Sequence, residues 1–164
     1  MPLTKLNATL GLTGTLPAVS GANLTNLDAG KILQVVTATD ASGLSSSSTS
    51  YIDTGLSASI TPSSSSNKVL VIVTTGVHGI DQASTTGLKL KLVRDSTDLI
   101  EQSSWGSHPT ITYIYGQGHC FNYLDSPSST SSTTYKLQYK SNDGTNHVLE
   151  NASTAVMTLL EVSA

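Results

Sequence analysis

From Lys31 onward the chain reads as short apolar or alternating runs separated by clusters of Ser, Thr, Gly and Pro. The runs fall near residues 31–39, 50–60, 68–75, 87–94, 98–103, 110–115, 119–124, 133–140, 147–150 and 154–162. Between them lie SGLSSSST, TPSSSSN, DSPSSTSS and SNDGTN, where Pro62, Pro127 and the Asp143-Gly144 pair supply turn chemistry. No stretch of helical length keeps an apolar i, i+3, i+4, i+7 face without a breaker, so no amphipathic helix is expected. The pattern predicts an all-β chain: an antiparallel β-sandwich, jelly-roll-like, of about eight to ten strands.

Alternation assigns faces within those runs. Leu88, Leu90 and Leu92 share one side of their strand and Lys89 and Lys91 the other, as expected for one buried and one wet face. Tyr135, Leu137 and Tyr139 oppose Lys136, Gln138 and Lys140 in the same way. Three runs break this rule. Val69 to Val73 is apolar throughout; Ile32, Leu33, Val35 and Val36 place apolar groups on both faces, as do Val156, Met157, Leu159, Leu160 and Val162. A two-sheet sandwich covers one face of each sheet, so doubly apolar strands need a second cover. A sheet packed on sister subunits supplies one, with Ile32, Leu33, Val35, Val69, Val71, Val73, Val156, Leu160 and Val162 as the candidate interface. The other available cover is the chain's own N-terminal arm.

That arm, residues 1–29, has a different texture. It carries Leu at 3, 6, 10, 12, 16, 24 and 27, Gly at 11, 14 and 21, and no aromatic residue. Its leucines keep neither a 3.6 nor a 2.0 period along the arm, and glycines with Pro17 interrupt both. An extended arm ordered by a neighbouring surface is expected, ahead of a head domain over residues 30–164.

Composition narrows the role. Of 164 residues only 12% are charged, with a formal net charge of -3. A nucleic-acid binder would show a basic face, which this balance does not supply. Polarity comes from hydroxyls instead: 49 residues are Ser or Thr, which leaves little surface repulsion to oppose self-association. The N-terminal residues lack the unbroken apolar core of a secretory signal, and the longest apolar run, Val69–Val73, is far below the ~20 residues of a membrane helix. One cysteine, Cys120, excludes a disulfide framework and a multi-thiolate zinc site. It is expected as a small buried apolar side chain.

Candidate chemistry is sparse. His78, His108, His119 and His147 show no metal-ligand spacing, and no cofactor motif or nucleophile elbow occurs. No pair of carboxylates is nominated for acid–base work, so neither catalytic residue, metal nor cofactor is expected. Trp105, in the loop-like SSWGSHP, with His108 and Tyr51, forms the candidate ligand-contacting set; an exposed indole stacks on sugars.

Several segments, taken in order, resemble a known family: GTLPAVSGANLTNLDAGKILQVV, TGLSASITPSSSSNKVLVIV, LKLVRDST, NYLDSPSSTSSTTYKLQYKS and VMTLLEV. They are similar to small virion proteins of tailed bacteriophages, the tail-fibre and virion-appendage family. The resemblance implies a non-enzymatic virion structural protein made in the host cytoplasm and placed on the virion surface. It implies a homotrimeric jelly-roll head, like the heads of tumour-necrosis-factor or complement trimers, and an arm that attaches to phage capsid or tail proteins. Leu10, Leu12, Leu16, Leu24 and Leu27 are then the candidate docking residues. GANLTNL, repeated in longer relatives, occurs once here, and 29 extended residues span about 100 Å at most. A short appendage follows: a capsid decoration, a head fibre or a short tail fibre. A host-attachment module binding a surface glycan is the alternative.

Overall fold

The protein is described here from a computed structural model, which covers residues 31–76, 78–80, 87–103, 114–115, 118–142, 147–149 and 153–164. Its strands are β1 (Ile32–Asp40), β2 (Leu44–Ser46), β3 (Ile52–Ile60), β4 (Lys68–Thr74), β5 (His78–Ile80), β6 (Leu88–Arg94), β7 (Thr97–Ser103), β8 (Ile114–Tyr115), β9 (Cys120–Asp125), β10 (Thr133–Ser141), β11 (His147–Leu149) and β12 (Ala155–Val162). All pairings are antiparallel.

Eight longer strands make two sheets, ordered β1-β12-β4-β9 and β3-β10-β6-β7. Numbered along the chain, the first of these eight pairs with the eighth, the second with the seventh, the third with the sixth and the fourth with the fifth. That nesting is a jelly roll, a hairpin folded over into two facing sheets. The three doubly apolar strands, β1, β12 and β4, lie side by side in one sheet.

Three-residue and shorter strands form a third sheet, ordered β2-β11-β5-β8. It repeats the order of the first: β2 follows β1, β11 precedes β12, β5 follows β4 and β8 precedes β9 in the chain. The first sheet thus continues past a break, and the break at β1 is visible in its hydrogen bonds. Asp40 Oδ1 accepts from the Ser42 amide at 3.0 Å and the Ser42 hydroxyl at 2.7 Å, and Gly43 turns the chain at φ 64°.

The core is the apolar inner face of both sheets. Val69, Val71, Val73, Phe121, Ala155, Met157 and Leu159 meet Leu56, Ile60, Leu88, Leu90, Leu92, Tyr135, Leu137 and Tyr139. Each of the larger aliphatic groups is worth ~1.5–3 kcal/mol when fully buried. β3 carries a bulge where pairing slips between Lys136 and Gln138 of β10. Gly55 sits there at φ 101°, and a side chain on it would come within 2.6 Å of Asp40 Oδ2, so the position demands glycine.

Candidate functional site

The two sheets turn very different outer faces away from the core. On the β1-β12-β4-β9 sheet, residues directly opposite across strands share a face. Val35 pairs with Leu160, Leu160 with Leu70 and Leu70 with Leu124, an aliphatic row across all four strands. Ile32 pairs with Val162 and Val162 with Lys68 beside it. On the other side run Thr37, Thr158, Ile72 and Asn122, then Thr39, Val156, Thr74 and Cys120. Among these outward residues Lys68 is the one charge. Ile32 is 57% exposed, Val35 58%, Leu33 47% and Leu124 50%, while Leu70, Ile72, Val156, Leu160 and Val162 are half-buried. Contiguous aliphatic surface of this kind marks an interaction site.

The candidate interface residues therefore divide. Ile32, Leu33, Val35, Val156, Leu160 and Val162 are exposed or half-buried in the single chain. Val69, Val71 and Val73 are fully buried, which corrects their placement. A strand's two faces alternate, β4 turns these three valines to the core, and its outward aliphatics are Leu70 and Ile72. Cys120 is also corrected: it is exposed, on the outward side of β9 next to Thr74, whose hydroxyl lies 3.7 Å from its Sγ.

The outer face of the β3-β10-β6-β7 sheet is polar and internally paired. Lys89 reaches Glu101 at 2.5 Å, Lys91 reaches Asp98 at 3.0 Å, and Lys136 reaches Asp53 at 3.1 Å. Gln138 donates to Asp53 at 2.6 Å. Tyr51 belongs to this network. Its hydroxyl donates to Glu101, and the ammonium groups of Lys91 and Lys140 stand 4.0 and 4.9 Å from its ring centroid. Partial burial, with the Glu101 contact, raises the Tyr51 pKa. The Lys89 and Tyr51 hydrogen bonds hold Glu101 below its ordinary value, and Gln138 does the same, with Lys136, for Asp53. Tyr51 is thus committed to its neighbours. Trp105 and His108, its proposed companions, lie outside the described residues, as do Leu10, Leu12, Leu16, Leu24 and Leu27.

Two buried carboxylates tie the fold and had no marker in the sequence pattern. Asp125 on β9, 5% exposed, accepts from Arg94 Nη1 at 2.9 and 2.7 Å and from the Tyr135 hydroxyl at 2.7 Å. Both partners belong to the opposite sheet, so this cluster bolts the sandwich together. Burial and the Asp125 contact push the Tyr135 pKa up. Glu161 on β12, 1% exposed, accepts through Oε1 from the Ser63 amide at 2.6 Å, the Ser63 hydroxyl at 2.7 Å and Asn67 Nδ2 at 2.6 Å. Burial alone would raise its pKa, but the Asn67 and Ser63 hydrogen bonds outweigh that and hold it low. The Ala164 amide donates to Asn67 Oδ1 at 3.3 Å, completing a clasp on the 61–67 loop.

Among the described residues no three His, Cys, Asp or Glu side chains come close enough to hold a metal ion. The small open depression beside the β3 bulge, lined by Asp53, Gly55, Leu56, Ser57, Thr134 and Lys136, measures about 150 Å³. Its polar groups are exposed or half-buried and its carboxylate is already paired with Lys136.

No protein-family model matches the chain. No curated protein does either. Among solved structures, the chain is similar to the VP2 subviral particle of infectious bursal disease virus at 13% identity and a TM-score of 0.44, over 90% of this chain and 44% of that one. It is similar to the Gt strain of the same virus at 16% identity and a TM-score of 0.46, over 90% and 42%, and to its T13 viral particle at 16% identity and a TM-score of 0.37, over 90% and 42%. The chain spans less than half the length of these viral chains. Likeness at this level decides nothing about its role. The jelly-roll assignment rests on the strand order, and the bacteriophage resemblance on the quoted segments.

Proposed function

We propose that this protein is a non-enzymatic structural protein of a tailed-bacteriophage virion: a homotrimer forming a short surface appendage, docked through residues 1–29. The appendage is a capsid decoration or head fibre, or a short tail fibre. The observation that carries the reading is the outer face of the β1-β12-β4-β9 sheet, crossed on all four strands by the aliphatic row Val35, Leu160, Leu70 and Leu124 and bearing one charge, Lys68. Such a face gains stability when a sister copy covers it. The second outer face, with its charges already paired, needs no cover and suits the water-facing side of an appendage.

Three arms on one trimer bind a virion as a unit, which raises the effective concentration of the second and third arm to roughly millimolar levels. The glycan-binding alternative gains nothing at Tyr51, whose ring and hydroxyl are engaged within the chain.

The test is incorporation. A chain lacking residues 2–28 is expected to keep the head fold, by circular dichroism and thermal unfolding, and to be missing from purified virions. Incorporation at the full-length level would contradict the docking role of the arm.

A further inference from the structure

The edge of β1 differs from the other sheet edges. β1 pairs with β12 on one side and has no strand on the other among the described residues. Proteins protect such edges with charges, prolines, bulges or short strands. β7 carries Asp98 and Glu101, β3 is bulged at Gly55, and β9 is six residues long and leads into Ser126-Pro127. β1 runs nine residues, and from Ile32 to Thr39 it holds neither a charge nor a proline. Its first four residues are exposed in succession, so both faces and the edge stand bare together.

The sequence ahead of β1 holds a segment with the alternation of a strand. Residues 8–16 alternate over that short span, although the arm as a whole does not: Ala8, Leu10, Leu12, Gly14 and Leu16 on one side, Thr9, Gly11, Thr13 and Thr15 on the other. This segment is nine residues long, like β1. Fifteen residues, 17–31, join it to β1. Connections within one compact domain have a median of about 4–6 residues, so this one is long. Extended, it reaches about 50 Å. A head of this size has a radius of gyration of about 14 Å, so the linker can carry the segment to an adjoining copy.

Area points the same way. Four strands at ~4.8 Å spacing and eight residues at ~3.3 Å rise give a face of roughly 500 Å². Stable interfaces bury ~800 Å² per partner, so even the whole of this face falls short. An added strand supplies main-chain hydrogen bonds and more apolar contact.

We infer that residues 8–16 of one copy add as a strand to the free edge of β1 in the adjoining copy, so that the three arms are exchanged around the trimer. The inference rests on the trimeric reading above and names the arm's partner within it. The exchanged strand becomes the new sheet edge, and its outward side and one face stay open for the virion.

Hydrogen exchange on the full chain tests this, with light scattering as an independent measure of the trimer. Every second amide of β1 points away from β12 and exchanges slowly only if a strand covers it. In the full chain these amides are expected to be protected. In Leu12→Pro they should exchange at least 10-fold faster, with β4 and β12 unchanged. Co-expression with excess wild-type chain should restore protection to the Leu12→Pro copy, which is recognisable by its mass. Protection lost but not restored means that the arm lies on its own chain's edge and overturns the exchange. Equal exchange in both proteins overturns strand addition altogether. A trimer with unprotected β1 removes this inference alone, and a monomeric mass removes the trimeric reading with it.

Discussion

The two outer faces of this sandwich are built from strands of similar length and the same antiparallel pairing, yet they treat water in opposite ways. On the β3-β10-β6-β7 sheet, Asp53, Lys89, Lys91, Asp98, Glu101 and Lys136 neutralise one another in place, and Tyr51 lies under Lys91 and Lys140. On the β1-β12-β4-β9 sheet, Val35, Leu160, Leu70 and Leu124 line up with nothing polar between them. The first face is complete within one chain. The second leaves aliphatic side chains open to water within the single chain, the kind of surface that marks an interaction site.

Putting charge onto the aliphatic row should break the comparison with the largest effect. Leu70→Lys with Leu160→Lys would place unpaired ammonium groups in a covered interface, at several kcal/mol each. The expected outcome is a shift of the solution mass from trimer to single chain at micromolar concentration, with the far-ultraviolet circular dichroism unchanged because both positions face outward. The association should also resist salt: raising the ionic strength from about 0.05 to 1 M screens charge pairs but leaves apolar contact in place.

Next comes the bolt between the sheets. Asp125→Ala leaves Arg94 inside without its carboxylate and should lower the unfolding free energy by ~3–5 kcal/mol, read by urea denaturation. A loss below ~1 kcal/mol would show that Arg94 finds water instead.

The clasp on the 61–67 loop should act through pH. The folded pKa of Glu161 is depressed, so its contribution is fully present above the ordinary glutamate value, near ~4.3, and is lost as pH falls through the depressed folded value. Glu161→Gln should reduce stability at neutral pH and flatten the fall in melting temperature on the acid side. An acid limb identical to that of the wild type would contradict this role.

The smallest effect belongs to the paired face. Lys91→Ala removes an ion pair with an exposed Asp98 and a cation–π contact. It should cost no more than ~1 kcal/mol and leave the solution mass as it was. A loss of assembly here would assign the interface to the wrong sheet.

Much of the fold was legible from side-chain alternation. The Lys and Leu of β6 and the Tyr and Lys of β10 mark their faces because their chemistries differ, and the burial follows them. β4 could be recognised as doubly covered but not phased. Val69, Val71 and Val73 on one side and Leu70 and Ile72 on the other are alike in chemistry, and only pairing with β12 and β9 decides which set turns inward. Asp125 and Glu161 read like surface carboxylates, because Arg94 and Tyr135, or Ser63 and Asn67, reach them only through the fold. Cys120 misled for a related reason: a lone cysteine usually sits inside as a small apolar group, but the strand's phase turns this one out. β2 and β5, at three residues each, are too short for any period to register.

The most direct test of the account is the solution mass of the full chain at micromolar concentration by light scattering. A trimer, three times 17.0 kDa, is the predicted result and would mean that the aliphatic face is covered by sister copies. A mass of 17.0 kDa would contradict it, leaving that face covered within the single chain and the appendage without its means of assembly.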